Sequence, residues 1–317
     1  MNNKIGILTL PLHRNLGGVL QNYVLTQITK DFGYEPETIS VLSERRKRDQ
    51  FIQFTLDNIK IKTYNVMEEI QPDDFGTYLV GSDQIWRTEW IKPRLVFLDF
   101  TKEWDVKRIA YGVSTGKEGL LCTSDDIENV FKPCAKRFIG GITTRENSLR
   151  DDINRIMGEP IAQTVCDPTM LKGVDFYNKM AKDVSRLSPK IGQYMLDSHK
   201  SQLPIVYNHL KTDEGRVFKP YDIPTFLAMY RDCNMILTDS FHGCLFSLIY
   251  NKPFICFWNA GRGNARFETL IENYGIGNRM IVDPDKMDYS LLSRTPNVNY
   301  KPLVEKSFKF LEKTLKK

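Results

Sequence analysis

Residues 238–243 read Thr-Asp-Ser-Phe-His-Gly. They follow one apolar run, Met235-Ile236-Leu237, and precede another that begins at Cys244. The chain has four histidines, and His242 sits where a strand pattern gives way to a helix pattern. An imidazole there can accept a proton and pass it on, and the positive end of a helix favours its neutral form. The apolar set Phe241, Cys244, Leu245, Leu248 and Ile249 repeats at helical spacing. His242 lies one residue off that set, so it is expected to point away from the core, with Asp239 or Ser240 capping the helix. The simpler role for His242 is packing or capping alone.

Similar polar clusters follow other apolar runs. Leu10 is followed by His13, Arg14, Asn15, Gly17 and Gly18, Val80 by Ser82, Asp83 and Gln84, Val113 by Ser114, and Thr144 by Arg145 and Glu146. Arginine forks and helix N-terminal N–H groups both suit anions. Arg262 and Arg266, in GRGNARF, can add positive charge or form a solvated basic loop. The glycines of LHRNLGG allow close backbone approach, but their spacing is not that of a dinucleotide fingerprint.

The elements that must position these residues alternate between short apolar runs and helical patterns, which predicts βαβ units and parallel sheets. Strands are expected at 4–10, 77–80, 108–113, 138–143, 161–166, 191–196, 216–219, 235–237 and 253–257. Helices are expected at about 18–31, 203–210, 223–231 and 241–250, with a charged helical region over 43–70. A final helix carries the stripe Val304, Phe308, Leu311 and Leu315. The turn at Cys166-Asp167-Pro168 divides the chain into an N-terminal α/β domain, 1–166, and a C-terminal one, 167–317, whose last helix can pack back on the first. In open α/β sheets, ligands bind beyond the carboxyl ends of the strands, so the polar clusters are expected to converge on an interdomain cleft.

Composition bounds the class. The 317 residues are 41% hydrophobic and 26% charged, with a net charge of +5. This balance fits a soluble globular protein and does not single out nucleic acid as a partner. The six cysteines form no CxxC pair, so neither a disulfide frame nor a metal site is signalled. MNNKIGILTL lacks the features of a signal peptide, and no apolar run reaches the roughly 18–20 residues of a membrane span. A cytoplasmic location follows as the expectation. The basic run SERRKRDQ reads as a solvated helix face, or else as peripheral contact with an anionic polymer or an anionic membrane surface, the inner face of the membrane.

The clusters, taken in order, resemble the polysaccharide pyruvyl transferases. LHRNLGGVLQNYVL, FGTYLVGSDQIW, KRIAYGVSTG, ITTREN, VCDPTML, TDSFHGCLFSLIYNKPFICF and NARFETLIENYGIGNRM follow the family's order over nearly the whole chain. The resemblance implies two Rossmann-like domains in a GT-B-like arrangement. It implies transfer of pyruvate from phosphoenolpyruvate to a glycan or lipid-linked sugar as a ketal, without metal or organic cofactor. His242 then matches the histidine of proton transfer, Arg145 a donor anchor, and Asp83 a partner of sugar hydroxyls. Leu16 and Asn22 depart from the residues common in the family's opening loop and helix, which bears on the acceptor. The competing readings are a nucleotide-sugar glycosyltransferase and a catalytically silent glycan-binding scaffold.

Overall fold

The computed structural model describes residues 2–12, 15–44, 52–197, 202–258 and 263–316. The chain forms two compact units. One comprises the residues up to Leu171 together with those from Lys301 onward, and the other is Lys172–Tyr300.

The first unit is built on seven parallel strands: β1 (Lys4–Leu8), β2 (Glu35–Val41), β3 (Ile61–Tyr64), β4 (Thr77–Val80), β5 (Lys107–Val113), β6 (Ile142–Thr144) and β7 (Ala162–Thr164). Their order is β3-β2-β1-β4-β5-β6-β7, so the winding reverses between β1 and β4. Leu8 pairs with Val80 at that reversal. All four residues of β4, TYLV, are buried, because a parallel sheet is covered on both faces. The helix Leu16–Asp31 starts at the carboxyl end of β1, where the Asn15 side chain accepts a hydrogen bond from the Gly18 N–H.

The last helix, Lys301–Leu315, belongs to this first unit although 129 residues of the second precede it. The Cys166 N–H donates to Ser307 Oγ at 2.9 Å, and Phe310 lies against Tyr111 with ring centres 6.3 Å apart. The buried stripe is therefore Ser307, Phe310, Leu311, Thr314 and Leu315. The expected stripe through Val304 and Phe308 is offset from it. Two small polar residues, Ser307 and Thr314, hide on the packed face, while Phe308 is exposed, with its ring tilted toward Phe32 at 6.2 Å between centres.

The second unit carries β8 (Ile191–Tyr194), β9 (Val217–Phe218), β10 (Met235–Thr238), β11 (Phe254–Phe257) and β12 (Met280–Ile281), parallel and in the order β12-β11-β10-β8-β9. The reversal here falls between β8 and β10.

Three expectations need correction. The described part of 43–70 is not one helical region: the α-helix among those residues is Gln53–Asn58, and Ile61–Tyr64 pairs with Thr38–Val41 as an edge strand. Residues 138–143 do not form the strand, because Gly140 and Gly141 turn at positive φ and β6 begins at Ile142. The helix Phe241–Ile249 has no open face, since all nine residues are buried. Among the described residues no helix is long and apolar enough to cross a membrane. Most of SERRKRDQ lies outside the described residues.

Candidate functional site

In the first unit, the loop after β4 holds Ser82 and Asp83 at the winding reversal. Gly81 has φ +130°, and a Cβ there would overlap the carbonyl oxygen of Tyr111, so only glycine fits. Ser82 is fixed through three bonds: its Oγ donates to the Gly112 carbonyl at 2.8 Å, its N–H donates to Gln21 Oε1 at 3.0 Å, and its carbonyl accepts from Thr9 Oγ1 at 3.0 Å. Asp83 adopts a left-handed backbone with φ 66°, a region that aspartate tolerates better than most residues. Its Oδ2 lies 3.4 Å from where a Gly18 Cβ would be, which puts the carboxylate in van der Waals range of that turn. Gly18 thus brings the first turn of the Leu16–Asp31 helix close to Asp83.

Arg145 reaches across this loop. One terminal nitrogen meets Asp83 Oδ1 at 2.7 Å and the other meets Asp167 Oδ2 at 2.7 Å, with all three side chains buried. Burial works against the charge, but the neighbouring carboxylates outweigh it and hold the guanidinium more firmly protonated than usual. The other oxygen of Asp167 is taken by the Thr169 N–H at 2.9 Å and its hydroxyl at 2.8 Å. Ser114 Oγ donates to the buried Glu146 carboxylate. Gln84 Oε1 accepts from Arg87 at 3.0 Å. Asp83, Ser82, Gln84, Ser114 and Arg145 therefore come together at one sheet edge with Asn15, Gly17 and Gly18. Asp167 was not singled out from the sequence. It lies three residues beyond the end of β7, the same offset that Asp83 has from β4, so the rule that pointed to Asp83, inspection of the residues after each strand, also points to it.

In the second unit, the loop after β10 is tied across the reversal to β8. Asp239 Oδ1 accepts from the Leu196 N–H at 2.7 Å and Oδ2 from the Asp197 N–H at 2.9 Å. Thr238 Oγ1 donates to the Tyr194 carbonyl at 2.7 Å and accepts from the Ser240 N–H at 3.1 Å. Asp239 is thus a brace between strands and not the helix cap. Ser240 occupies the N-cap position, yet its buried hydroxyl makes no capping bond. Gly243 lets the helix sit on its strand, because a Cβ there would overlap Thr238 Oγ1. His242 is only 2% exposed and stands edge-on to Phe241, ring centres 5.5 Å apart. The buried Arg266, from the helix Asn264–Tyr274, lies over Phe241 at 5.8 Å. Ser240, His242 and Arg266 are therefore neighbours at the carboxyl end of β10. His13 and Arg262 lie outside the described residues. Among the described residues no group of three or more His, Cys, Asp or Glu is placed to hold a metal ion.

Two parallel-sheet α/β units, each with polar loops at the carboxyl edge of a doubly wound sheet, define a GT-B-like protein. Solved structures with this fold include a glycosyltransferase from Rickettsia africae ESF-5, 12% identical with TM-score 0.56 over 98% of both chains. A UDP-GlcNAc 2-epimerase from Neisseria meningitidis, bound to UDP-GlcNAc, is 10% identical with TM-score 0.56 over 98% of this chain and 99% of that one. The corresponding epimerase of Methanocaldococcus jannaschii is 12% identical with TM-score 0.54 over 98% and 99%. No curated protein matches the chain. The polysaccharide pyruvyl transferase family matches residues 15–261, and the chain belongs to that family.

Proposed function

We propose that this protein moves pyruvate from phosphoenolpyruvate onto two hydroxyls of a sugar in a polysaccharide or its lipid-linked precursor, forming a cyclic ketal and releasing phosphate. The observation that carries this reading is the family match, whose span includes Asp83, Arg145, Ser240 and His242.

The proton balance suits a single relay. The enol CH2 of phosphoenolpyruvate gains a proton and becomes a methyl group, and C2 takes on cationic character. One sugar hydroxyl adds at C2, the C2–O bond to phosphate breaks, and the second hydroxyl closes the ketal. Two hydroxyl protons are lost; one equivalent is consumed at the methyl carbon and the other leaves with phosphate. No external acid or base is needed, only a group that accepts and returns protons, and His242 is the group we assign.

Ser240, with the N–H groups that open the Phe241–Ile249 helix, is assigned to the donor's phosphate, and Arg266 supplies positive charge beside it. Arg145 is reassigned. Its fork is engaged by Asp83 and Asp167, so it is a positioning residue that fixes Asp83 rather than the donor anchor. Asp83 is assigned to an acceptor hydroxyl. The test is phosphate release from phosphoenolpyruvate, assayed with a panel of glycans and lipid-linked sugars. Acceptor-dependent release with a pyruvate ketal in the product supports the reading. Turnover of a UDP-sugar, with phosphoenolpyruvate inert, would sink it in favour of glycosyl transfer.

A further inference from the structure

We infer that Trp90 is a stacking platform for a pyranose ring of the acceptor glycan, an inference that rests on the reading above. Trp90 is 44% exposed, whereas Trp86 in the same loop is fully buried. The Arg87 guanidinium lies 4.0 Å from the Trp90 ring centre and so covers one face of the indole. Arg87 is itself anchored, to Gln84 Oε1 at 3.0 Å and to the Glu89 carboxylate at 3.2 Å. Glu89 in turn takes the Lys117 ammonium at 2.9 Å. A tight turn holds the two residues in register, with the Trp90 N–H donating to the Arg87 carbonyl at 2.9 Å. The indole is thus covered on one face by a held cation, in a residue that is still 44% exposed.

The location suits acceptor binding. Trp90 belongs to the loop that follows β4 and contains Ser82, Asp83 and Gln84, and Lys117 comes from the loop after β5. Both loops leave the carboxyl edge of the first sheet, where this fold class takes its ligands. The C–H face of a pyranose is apolar with weakly positive hydrogens, which matches the negative π-face of indole. Its rim of hydroxyls needs donors and acceptors, and Lys117 and Glu89 supply one of each. The same charged rim is poorly suited to the core of a protein interface, where lysine and glutamate are depleted.

The experiment compares intrinsic tryptophan emission of the wild type and Trp90→Phe during titration with methyl α- and β-glycopyranosides of glucose, galactose and mannose, and with the corresponding disaccharides. A saturable change in the wild type that is missing from Trp90→Phe is expected for at least one sugar configuration. In the ketal-forming assay, Trp90→Ala should raise the acceptor KM roughly threefold to tenfold with kcat kept, the pattern of lost ground-state binding worth one aromatic stack. Emission that responds to UDP or to protein concentration instead of to saccharides overturns the platform. So does an unchanged KM in Trp90→Ala. Saccharide binding at Trp90 without phosphate release from phosphoenolpyruvate would instead remove the pyruvyl-transfer reading and leave the platform standing.

Discussion

Arg145 carries one positive charge between two buried carboxylates, and its removal strands both. Arg145→Ala is expected to cost about 3–5 kcal/mol of stability in denaturant unfolding, the usual consequence of breaking a buried pair from one side. Arg145→Lys should recover little, because a single ammonium cannot span Asp83 and Asp167 as the fork does. A variant of normal stability that no longer binds phosphoenolpyruvate would return Arg145 to the role of donor anchor. His242 poses the opposite case. If it relays protons, His242→Ala should lower turnover per folded molecule by roughly 10²–10⁴-fold while the donor affinity changes little. Because the imidazole is buried, some loss of melting temperature is expected too, so the decisive variant is His242→Gln. An amide can fill the space and make hydrogen bonds but cannot titrate near neutrality. Glutamine that restores stability but not turnover supports the relay; glutamine that restores both marks a packing residue.

Short elements set the precision of these sites. The Phe241–Ile249 helix contacts β10 at Gly243, where Thr238 Oγ1 leaves no room for a methyl group. Gly243→Ala should therefore destabilise by about 1–3 kcal/mol through overpacking, even though alanine is the better helix former. The Thr238→Ala and Gly243→Ala pair should be markedly non-additive in a double-mutant cycle, as expected for direct contact. Asp232, which ends the helix Ile223–Asp232, offers a pH test. Burial alone would raise its carboxyl, but Arg231, the Leu187 N–H and Arg186 outweigh that and lower it from 3.8 to about 2. A depressed carboxyl contributes stability above its unfolded value and loses it as pH falls through the folded one. The melting-temperature gap between wild type and Asp232→Asn should thus be full at neutral pH and shrink between about pH 4 and pH 2. A gap that widens in acid would contradict the ion-pair account.

Which elements the sequence announces follows the same physics. β4 and β10 are short apolar runs ending in polar residues, and both are legible, as are the loops they carry. β2 is masked by Glu35, Pro36 and Glu37, and β3 by its lysine and its charged surroundings. Only pairing with β1 and β2 makes those segments strands, and that information is not local. The Arg145 triad is illegible for a related reason. Its carboxylates come from the loops after β4 and β7, and sequence spacing alone did not join them.

At the scale of the whole molecule, ligand and architecture can be tested together. Phosphoenolpyruvate should raise the melting temperature by mass action, and Ser240→Ala combined with Arg266→Ala should reduce that shift, because they remove the hydroxyl and the cation assigned to its phosphate. An undiminished shift would refute that placement. The first unit also depends on a helix far along the chain. Cys166, Tyr111 and Gly140 all pack against residues 307–314, so cutting the chain after Tyr300 should expose that surface and abolish cooperative unfolding of the first unit. Joining Leu171 to Lys301 by a short Gly/Ser linker should instead leave it foldable. The order of synthesis gives this arrangement a temporal meaning. A ribosome delivers the seven strands of the first sheet early, yet the helix that seals them emerges only after the whole second unit has been made. At about 5–20 residues per second those 129 residues take roughly 6–26 seconds, during which an apolar surface stays uncovered on the nascent chain. The second unit is continuous and can fold as it appears, so the part translated first is the part completed last. Holdase binding to stalled chains, each extended by a C-terminal linker that fills the exit tunnel, should accordingly persist when the protein is exposed only to residue 300 and fall away when residues 301–317 are exposed as well.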